Sequence, residues 1–140
     1  MVEKIKILIS TILDLLGILN LLNNRVLKEK NSIRIINYHR TLDNELNTFE
    51  KQLKYFKDKY QNIDYLSFQS FKNNELKLDK QGLIITFDDG LSNNYDNAIG
   101  LLEKYGFTGY FFVSTGKVGT NEFMNYSELS DLIKRNHVIG

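Results

Sequence analysis

Leu83, Ile84, Ile85, Thr86 and Phe87 form a run without charge that ends abruptly in Asp88, Asp89 and Gly90. A short apolar run of this kind fits a strand covered on both faces, as in a parallel sheet flanked by helices. Such folds keep their chemistry at the carboxyl ends of the strands. Adjacent residues there point in different directions, so one carboxylate can bind a cation while the other faces a substrate. The cation then offsets the repulsion between the two. Gly90 lets the backbone turn sharply and leaves room for a ligand. The same tripeptide also reads as ordinary turn chemistry, with Asp89 capping the next helix.

The surrounding pattern agrees with a parallel sheet. Residues 33–37 (IRIIN) are a short β-branched run leading into Tyr38, His39 and Arg40. Residues 47–60 carry Phe49, Leu53, Phe56 and Tyr60 at helical spacing, with Asn47 and Glu50 placed as a capping box. Residues 65–68 read as a brief strand. Beyond the carboxylates, Tyr95, Ala98, Ile99, Leu102 and Tyr105 share one helical face, and Gly106 sits where a left-handed residue ends a helix. Residues 108–113 (TGYFFV) form another buried-strand candidate. Asn125 and Glu128 open a last helix through Leu129, Leu132 and Ile133, and Val138 and Ile139 begin one more strand. This alternation implies the α/β class, either an open doubly wound sheet or part of a (β/α) barrel.

Composition narrows the chemistry. The 140 residues have the length of one domain, and 18 Lys and Arg against 17 Asp and Glu give a formal net charge of +1. No field draws such a chain to nucleic acid. The absence of cysteine removes thiolate nucleophiles and sulfur-based zinc sites, so any metal is held by oxygen and nitrogen.

The amino end raises a separate question. Residues 5–22 (IKILISTILDLLGILNLL) are apolar enough to suggest a membrane span or a signal peptide. Lys6, Ser10, Asp14, Gly17, Asn20 and Asn24, however, recur every three or four positions and form one stripe of an amphipathic helix. A spanning helix would carry Asp14 near the bilayer centre at a cost of about 2.5–3.5 kcal/mol. No small-residue cleavage site follows. Such a helix packs on its own domain, lies on a membrane surface or, least favoured, anchors in the membrane, which makes residues 5–22 a candidate peripheral membrane contact. With a polar, basic linker after it, residues 1–31 read as a leader and residues 32–140 as the domain. With no cleavable signal evident, the expected setting is cytoplasmic or membrane-peripheral at the cell envelope.

Thr86-Phe87-Asp88-Asp89-Gly90 resembles the first motif of the polysaccharide deacetylase family, the NodB-homology domains of carbohydrate esterase family 4. Asn37-Tyr38-His39-Arg40 resembles the Tyr-His segment on the first strand of members that act on N-acetylglucosamine polymers. Tyr105-Gly106-Phe107, followed by Tyr110-Phe111-Phe112-Val113, resembles the segment after the first motif, and Asn136-His137-Val138-Ile139-Gly140 is similar to the lead-in to the second. The resemblance covers residues 33–140.

It implies a distorted (β/α) barrel, present here as an incomplete, amino-terminal part preceded by the amphipathic helix. The reaction it implies is metal-dependent hydrolysis of N-acetyl groups on an amino-sugar polymer, at a non-peptide carbon–nitrogen bond. By position, the resemblance makes Asp88 the catalytic base and Asp89 a metal ligand, with Zn²⁺ the expected cofactor and an N-acetylated polysaccharide or oligosaccharide the expected partner. A bound cation polarises the amide carbonyl and lowers the pKa of its water towards about 7, while a separate carboxylate takes the proton. The family's other two ligands are histidines of a His-x-x-x-His motif that follows the Ile-Gly lead-in, and this chain stops at Gly140.

His39 and His137 are the only histidines in the sequence. His39 closes the first strand on the active face and is expected to border the site, beside the metal but outside its three ligands. A histidine simply hydrogen-bonded at a strand end is the alternative. His137 follows a helix and precedes a strand, which places it on the amino-terminal face, away from Asp89. The expectation is a deacetylase-like hydrolase truncated before its histidine motif. The alternatives are a catalytically inactive fragment and a non-catalytic carbohydrate-binding or membrane-surface module. An incomplete barrel also predicts an apolar, unpaired edge over residues 110–113 and around Val138.

Overall fold

A computed structural model describes residues 31–140. The helix and membrane contact expected over residues 5–22 lie outside the described residues, as does the linker up to residue 30. The order of elements is β1 (Ile33–Tyr38), α1 (Leu46–Lys59), β2 (Gln61–Asn62), α2 (Tyr65–Lys72), β3 (Gly82–Phe87), α3 (Ser92–Tyr105), β4 (Gly109–Phe111), α4 (Tyr126–Lys134) and β5 (Val138–Ile139). Short 3-10 turns lie at Asp43–Glu45 and Thr115–Lys117.

All strand pairs are parallel, in the order β1-β3-β4-β5. β1 runs beside β3 for its whole length, from Ile33 opposite Gly82 to Tyr38 opposite Phe87. The other edge of β3 is shared: β2 pairs with its first two residues and β4 with its last three. All six residues of β3 are buried, as the unbroken apolar run requires. Among the described residues the sheet does not close, and β1 and β5 are its outer strands. The architecture is α/β, an incomplete (β/α) barrel.

The two faces of the sheet are built differently. On the side of α1 and α3, an aromatic column crosses three strands: Tyr38 lies 5.6 Å from Phe87, Phe87 stacks on Phe111 at 4.8 Å, and Phe49 of α1 meets Tyr38 edge-on at 5.1 Å. Pairs of this geometry add about 0.5–1.5 kcal/mol each beyond burial. On the opposite face Ile63, Leu78, Ile84 and Tyr110 cluster, with Ile33, Phe71, Leu76 and Val138 packed around them. Further along this second face the cover ends, leaving Ile35 65% and Phe112 47% exposed.

Local chemistry explains where the elements begin and end, and corrects three expectations. Residues 65–68 are helical because Asp64 caps α2, its side chain accepting from the Ser67 N–H at 2.8 Å. A cap outweighs the strand preference of Tyr65 and Phe68. The capping box expected at Asn47 and Glu50 does not form, since α1 continues from a 3-10 turn without a side-chain cap. Glu50 instead accepts from Lys104 at 2.6 Å and from Tyr105 at 3.1 Å, tying α1 to α3. The edge expected over residues 110–113 is also not there: Tyr110 and Phe111 pair with β3 on one side and β5 on the other. The box at Asn125 and Glu128 is complete, and Gly106 ends α3 with φ 76°.

His137 is buried at the start of β5, at the amino-terminal end of the sheet, where its Nδ1 accepts from the Gly109 N–H at 3.0 Å. With Nδ1 accepting, the neutral ring carries its proton on Nε2, which has no hydrogen-bond partner and sits 3.7 Å from Glu103 Oε1. Glu103 is already engaged by Arg135 through contacts of 2.8 and 2.7 Å. Burial pushes the His137 pKa below its ordinary 6.5, the nearby Glu103 opposes this, and Arg135 reinforces it. The sign follows directly. Well above 6.5 both states are neutral, whereas as pH falls through 6.5 the unfolded chain takes up a proton that the folded chain refuses. Urea midpoints measured from about pH 7.5 down to about pH 5 should therefore fall, and His137→Asn should flatten that slope. An unchanged slope in the variant would place the acid sensitivity elsewhere.

Candidate active site

The pairing of β1 with β3 continues one step past the strands, because the Asp88 N–H donates to the Tyr38 carbonyl at 3.0 Å. This fixes the backbone from which the Asp88 side chain leaves. Asn37 sits opposite Thr86 in the register, and Thr86 Oγ1 donates to Asn37 Oδ1 at 2.9 Å. The Asn37 amide is thereby oriented with its NH₂ towards Asp88, donating to Asp88 Oδ2 at 2.8 Å. Among the described residues the second oxygen, Oδ1, has no hydrogen-bond partner.

Asp89 and Gly90 follow with φ of 71° and 74°, two successive left-handed residues. Glycine adopts this conformation freely, whereas Asp does so at some cost. The turn sends the exposed Asp89 carboxylate towards β1, where Asp89 Oδ2 lies 3.4 Å from His39 Nδ1. Asp89 does not cap α3, whose N-cap is Leu91 without a side-chain bond. The reason lies in the backbone, since the left-handed turn carries the carboxylate away from the helix axis. At Gly90 space is short as well, because a Cβ would come within 2.9 Å of Val113 Cγ1. The Gly90 carbonyl also accepts from the Met124 N–H at 2.9 Å, which anchors the loop after β4 against the turn.

The segment bearing His39 is fixed from the other side by two residues of α3 that sequence reasoning missed. Asn94, fully buried, donates to the His39 carbonyl at 3.0 Å and accepts from Thr41 Oγ1 at 3.0 Å. Asn97 donates to the Thr41 carbonyl at 2.7 Å and to Asp43 Oδ1 at 2.8 Å. The available signal was a pair of asparagines three apart on an otherwise apolar helix face, where asparagine is a poor helix former. Beside them, the Tyr38 hydroxyl donates to Gln52 Oε1 at 2.8 Å, and burial pushes its pKa up to about 12, so it stays a donor.

The structure thus brings Asp88, Asp89 and His39 together at the carboxyl end of the sheet and leaves His137 at the opposite end. Asp89 and His39 together offer two donors for a metal, whereas a catalytic zinc takes three protein ligands plus water. Among the described residues no group of three His, Cys, Asp or Glu side chains is placed to hold one metal ion. Among the described residues these two side chains supply part of a metal site and not a complete one.

An open parallel sheet with crossover helices, its titratable side chains gathered where β1 and β3 end, places the chain among (β/α)-barrel proteins. Residues 75–140 match the polysaccharide deacetylase family profile. The poly-beta-1,6-N-acetyl-D-glucosamine N-deacetylase of Staphylococcus aureus strain MSSA476 is 31% identical over 113 residues, covering 79% of this chain and 37% of that protein. Over residues 75–140 the chain is similar to the polysaccharide deacetylase family, and it spans little more than a third of the length of that relative. Among solved structures, IcaB from Ammonifex degensii superposes with a TM-score of 0.71 at 22% identity, over 78% of this chain and 52% of its own. A de-N-acetylase from Aggregatibacter actinomycetemcomitans gives a TM-score of 0.71 at 15% identity, over 77% and 53%. These likenesses confirm the fold.

Two substitutions separate what the turn needs from what the carboxylate does. Gly90→Ala meets both a left-handed φ and Val113, and should destabilise the domain by about 1–3 kcal/mol, read as a lower urea midpoint at unchanged slope. Asp89→Gly keeps the same backbone without a Cβ, so its midpoint should stay within about 1 kcal/mol of the parent or rise. A large loss in Asp89→Gly would mean that the carboxylate holds the fold.

Proposed function

We propose that residues 32–140 carry the amino-terminal, carboxylate-bearing part of a polysaccharide deacetylase site that acts on the N-acetyl groups of an amino-sugar polymer. The observation that carries this reading is the division of labour between adjacent carboxylates. Asp88 is held by Asn37 with one oxygen left for a proton, and Asp89 is turned out beside His39. In this reading Asp88 is the general base, taking a proton from water as it attacks the acetyl carbonyl. Asp89 is the carboxylate ligand of the divalent metal that the family resemblance implies, with Zn²⁺ the first candidate, and His39 borders the substrate. The activity of the Staphylococcus aureus relative, N-deacetylation of poly-beta-1,6-N-acetyl-D-glucosamine, supports this polymer as the first substrate to try.

The second reading, a chain that binds the polymer without turning it over alone, is favoured by the two-donor set around Asp89. The 140-residue chain should release acetate from N-acetylglucosamine oligomers no faster than added Zn²⁺ or Co²⁺ does by itself. Turnover above that background, abolished in Asp88→Asn, would show that the chain completes a site with donors other than Asp89 and His39. The binding half is read separately by NMR. A β-1,6-linked N-acetylglucosamine oligomer should move the amide signals of Asp88, Asp89 and His39, and a glucose oligomer of equal length should not. Equal response to both would remove the amino-sugar assignment.

A further inference from the structure

The sheet ends in two edges that pair with no further strand among the described residues, β1 on one side and β5 on the other. On β1 the Ser32 carbonyl accepts from the Gly82 N–H and the Tyr38 carbonyl from the Asp88 N–H, so the even-numbered residues face β3. Alternate residues of a parallel ladder turn their backbone groups the other way, which leaves those of Ile33, Ile35 and Asn37 facing outward. On β5, Gly140 donates to the Phe111 carbonyl at 2.9 Å and accepts from the Val113 N–H at 3.0 Å, so Ile139 faces outward in the same manner. The two edges have complementary surroundings. β1 is a β-branched strand without proline, and its Ile35 side chain stands largely exposed. β5 lies beside a groove of about 230 Å³ walled by Tyr65 and Leu66 of α2, Ile133 of α4 and Val138. Tyr65, Leu66 and Ile133 are each more than half exposed. An open edge beside exposed apolar walls is a template for an added apolar strand.

We propose that the added strand is β1 of a second copy of this chain, laid parallel to β5, and that a two-fold axis along the strands repeats the contact and closes the pair. Three observations select this occupant. The strand the groove calls for, apolar, β-branched and open on one edge, is one the chain itself carries at the far side of its sheet. The path β1-β3-β4-β5 supplies four strands, so two copies reach about the eight of a closed (β/α) barrel. In length, too, this chain covers about half of each solved relative named above. Closure by a two-fold axis then removes both edges with one kind of contact, whereas a foreign strand on β5 would leave β1 open. Because every pairing in the sheet is parallel, the axis puts Asp88, Asp89 and His39 of both copies at the same end of the closed sheet. The inference stands on the edges alone and does not depend on what those residues do.

The test is sedimentation of the ¹⁵N-labelled 140-residue chain over about a hundredfold range of concentration, with amide exchange read by NMR at both ends of that range. The chain should pass from monomer to dimer and no further. In the dimer the amides of Ile33, Ile35, Asn37 and Ile139 should gain protection about tenfold or more, while those of Arg34, Ile36 and Tyr38, which face β3, should not change. Ile35→Lys should raise the dimer Kd about tenfold and leave the thermal midpoint of the monomer unchanged, since the side chain is mostly exposed. Ile133→Lys, in the wall of the groove beside the other edge, should weaken the dimer in the same direction and serves if the first variant is unstable. A monomer at every concentration, or growth past the dimer, would overturn the proposal. A dimer whose edge amides gain no protection, or one that both variants leave intact, would also overturn it, because the contact would then lie elsewhere in the chain.

Discussion

The parallel register between β1 and β3 is the constraint on which the site depends. It puts Asn37 opposite Thr86, which orients the Asn37 amide, and it lets the Tyr38 carbonyl take the Asp88 N–H. Side chains on a strand alternate between faces, so a slip of one residue would send Asn37 into the aromatic column and Tyr38 onto the open face. Nothing would then hold Asp88. The burial of all six residues of β3 makes the slip costly, because each face is matched to a different set of neighbours.

The aromatic column supplies the rigidity this register needs. Phe87, the last residue before the carboxylates, is fully buried and touches Tyr38, Phe49 and Phe111 at once. Rings packed this way have few alternative rotamers, so the backbone at Asp88 inherits their fixed position. On the other side, Asn94 and Asn97 fasten the His39 segment to α3. Two independent supports therefore converge on the space between Asp88 and His39, one apolar and one polar. A site whose proposed chemistry depends on the placement of a carboxylate gains from both.

Much of this was legible in the sequence, and the reasons differ by element. The strand at residues 83–87, the left-handed cap at Gly106 and the box at Asn125 and Glu128 each rest on local chemistry that a short window contains. The misreadings are cases where one window admitted two answers. Tyr65 and Phe68 favour a strand until Asp64 is recognised as a cap. Asn47 and Glu50 satisfy the spacing of a box, yet Glu50 is claimed by Lys104 and Tyr105, 54 and 55 residues away. The roles of Asn37, Asn94 and Asn97 were invisible for the same reason: each acts on a partner about 50 residues distant, and only the folded sheet and its helices bring them together. Asp88 and Asp89 stood out locally as the carboxylates that end the apolar run, and the resemblance, which carries long-range information, gave them and His39 distinct expected roles.

The backbone at Asp89 makes an independent physical argument about the site. A left-handed φ of 71° on a residue with a Cβ is a local conflict, and the next position resolves the same demand with glycine. Its side chain returns little to the fold: it is exposed, does not cap α3, and makes one contact of 3.4 Å to an exposed histidine. An exposed contact of this kind contributes little to stability. Where a residue costs conformational energy and recovers none through packing, the compensation lies outside folding. The left-handed carboxylate at the carboxyl end of the central strand supports the function proposed above on grounds separate from any family comparison, and its neighbour Asp88, hydrogen-bonded to Asn37, supports a different role from the same turn.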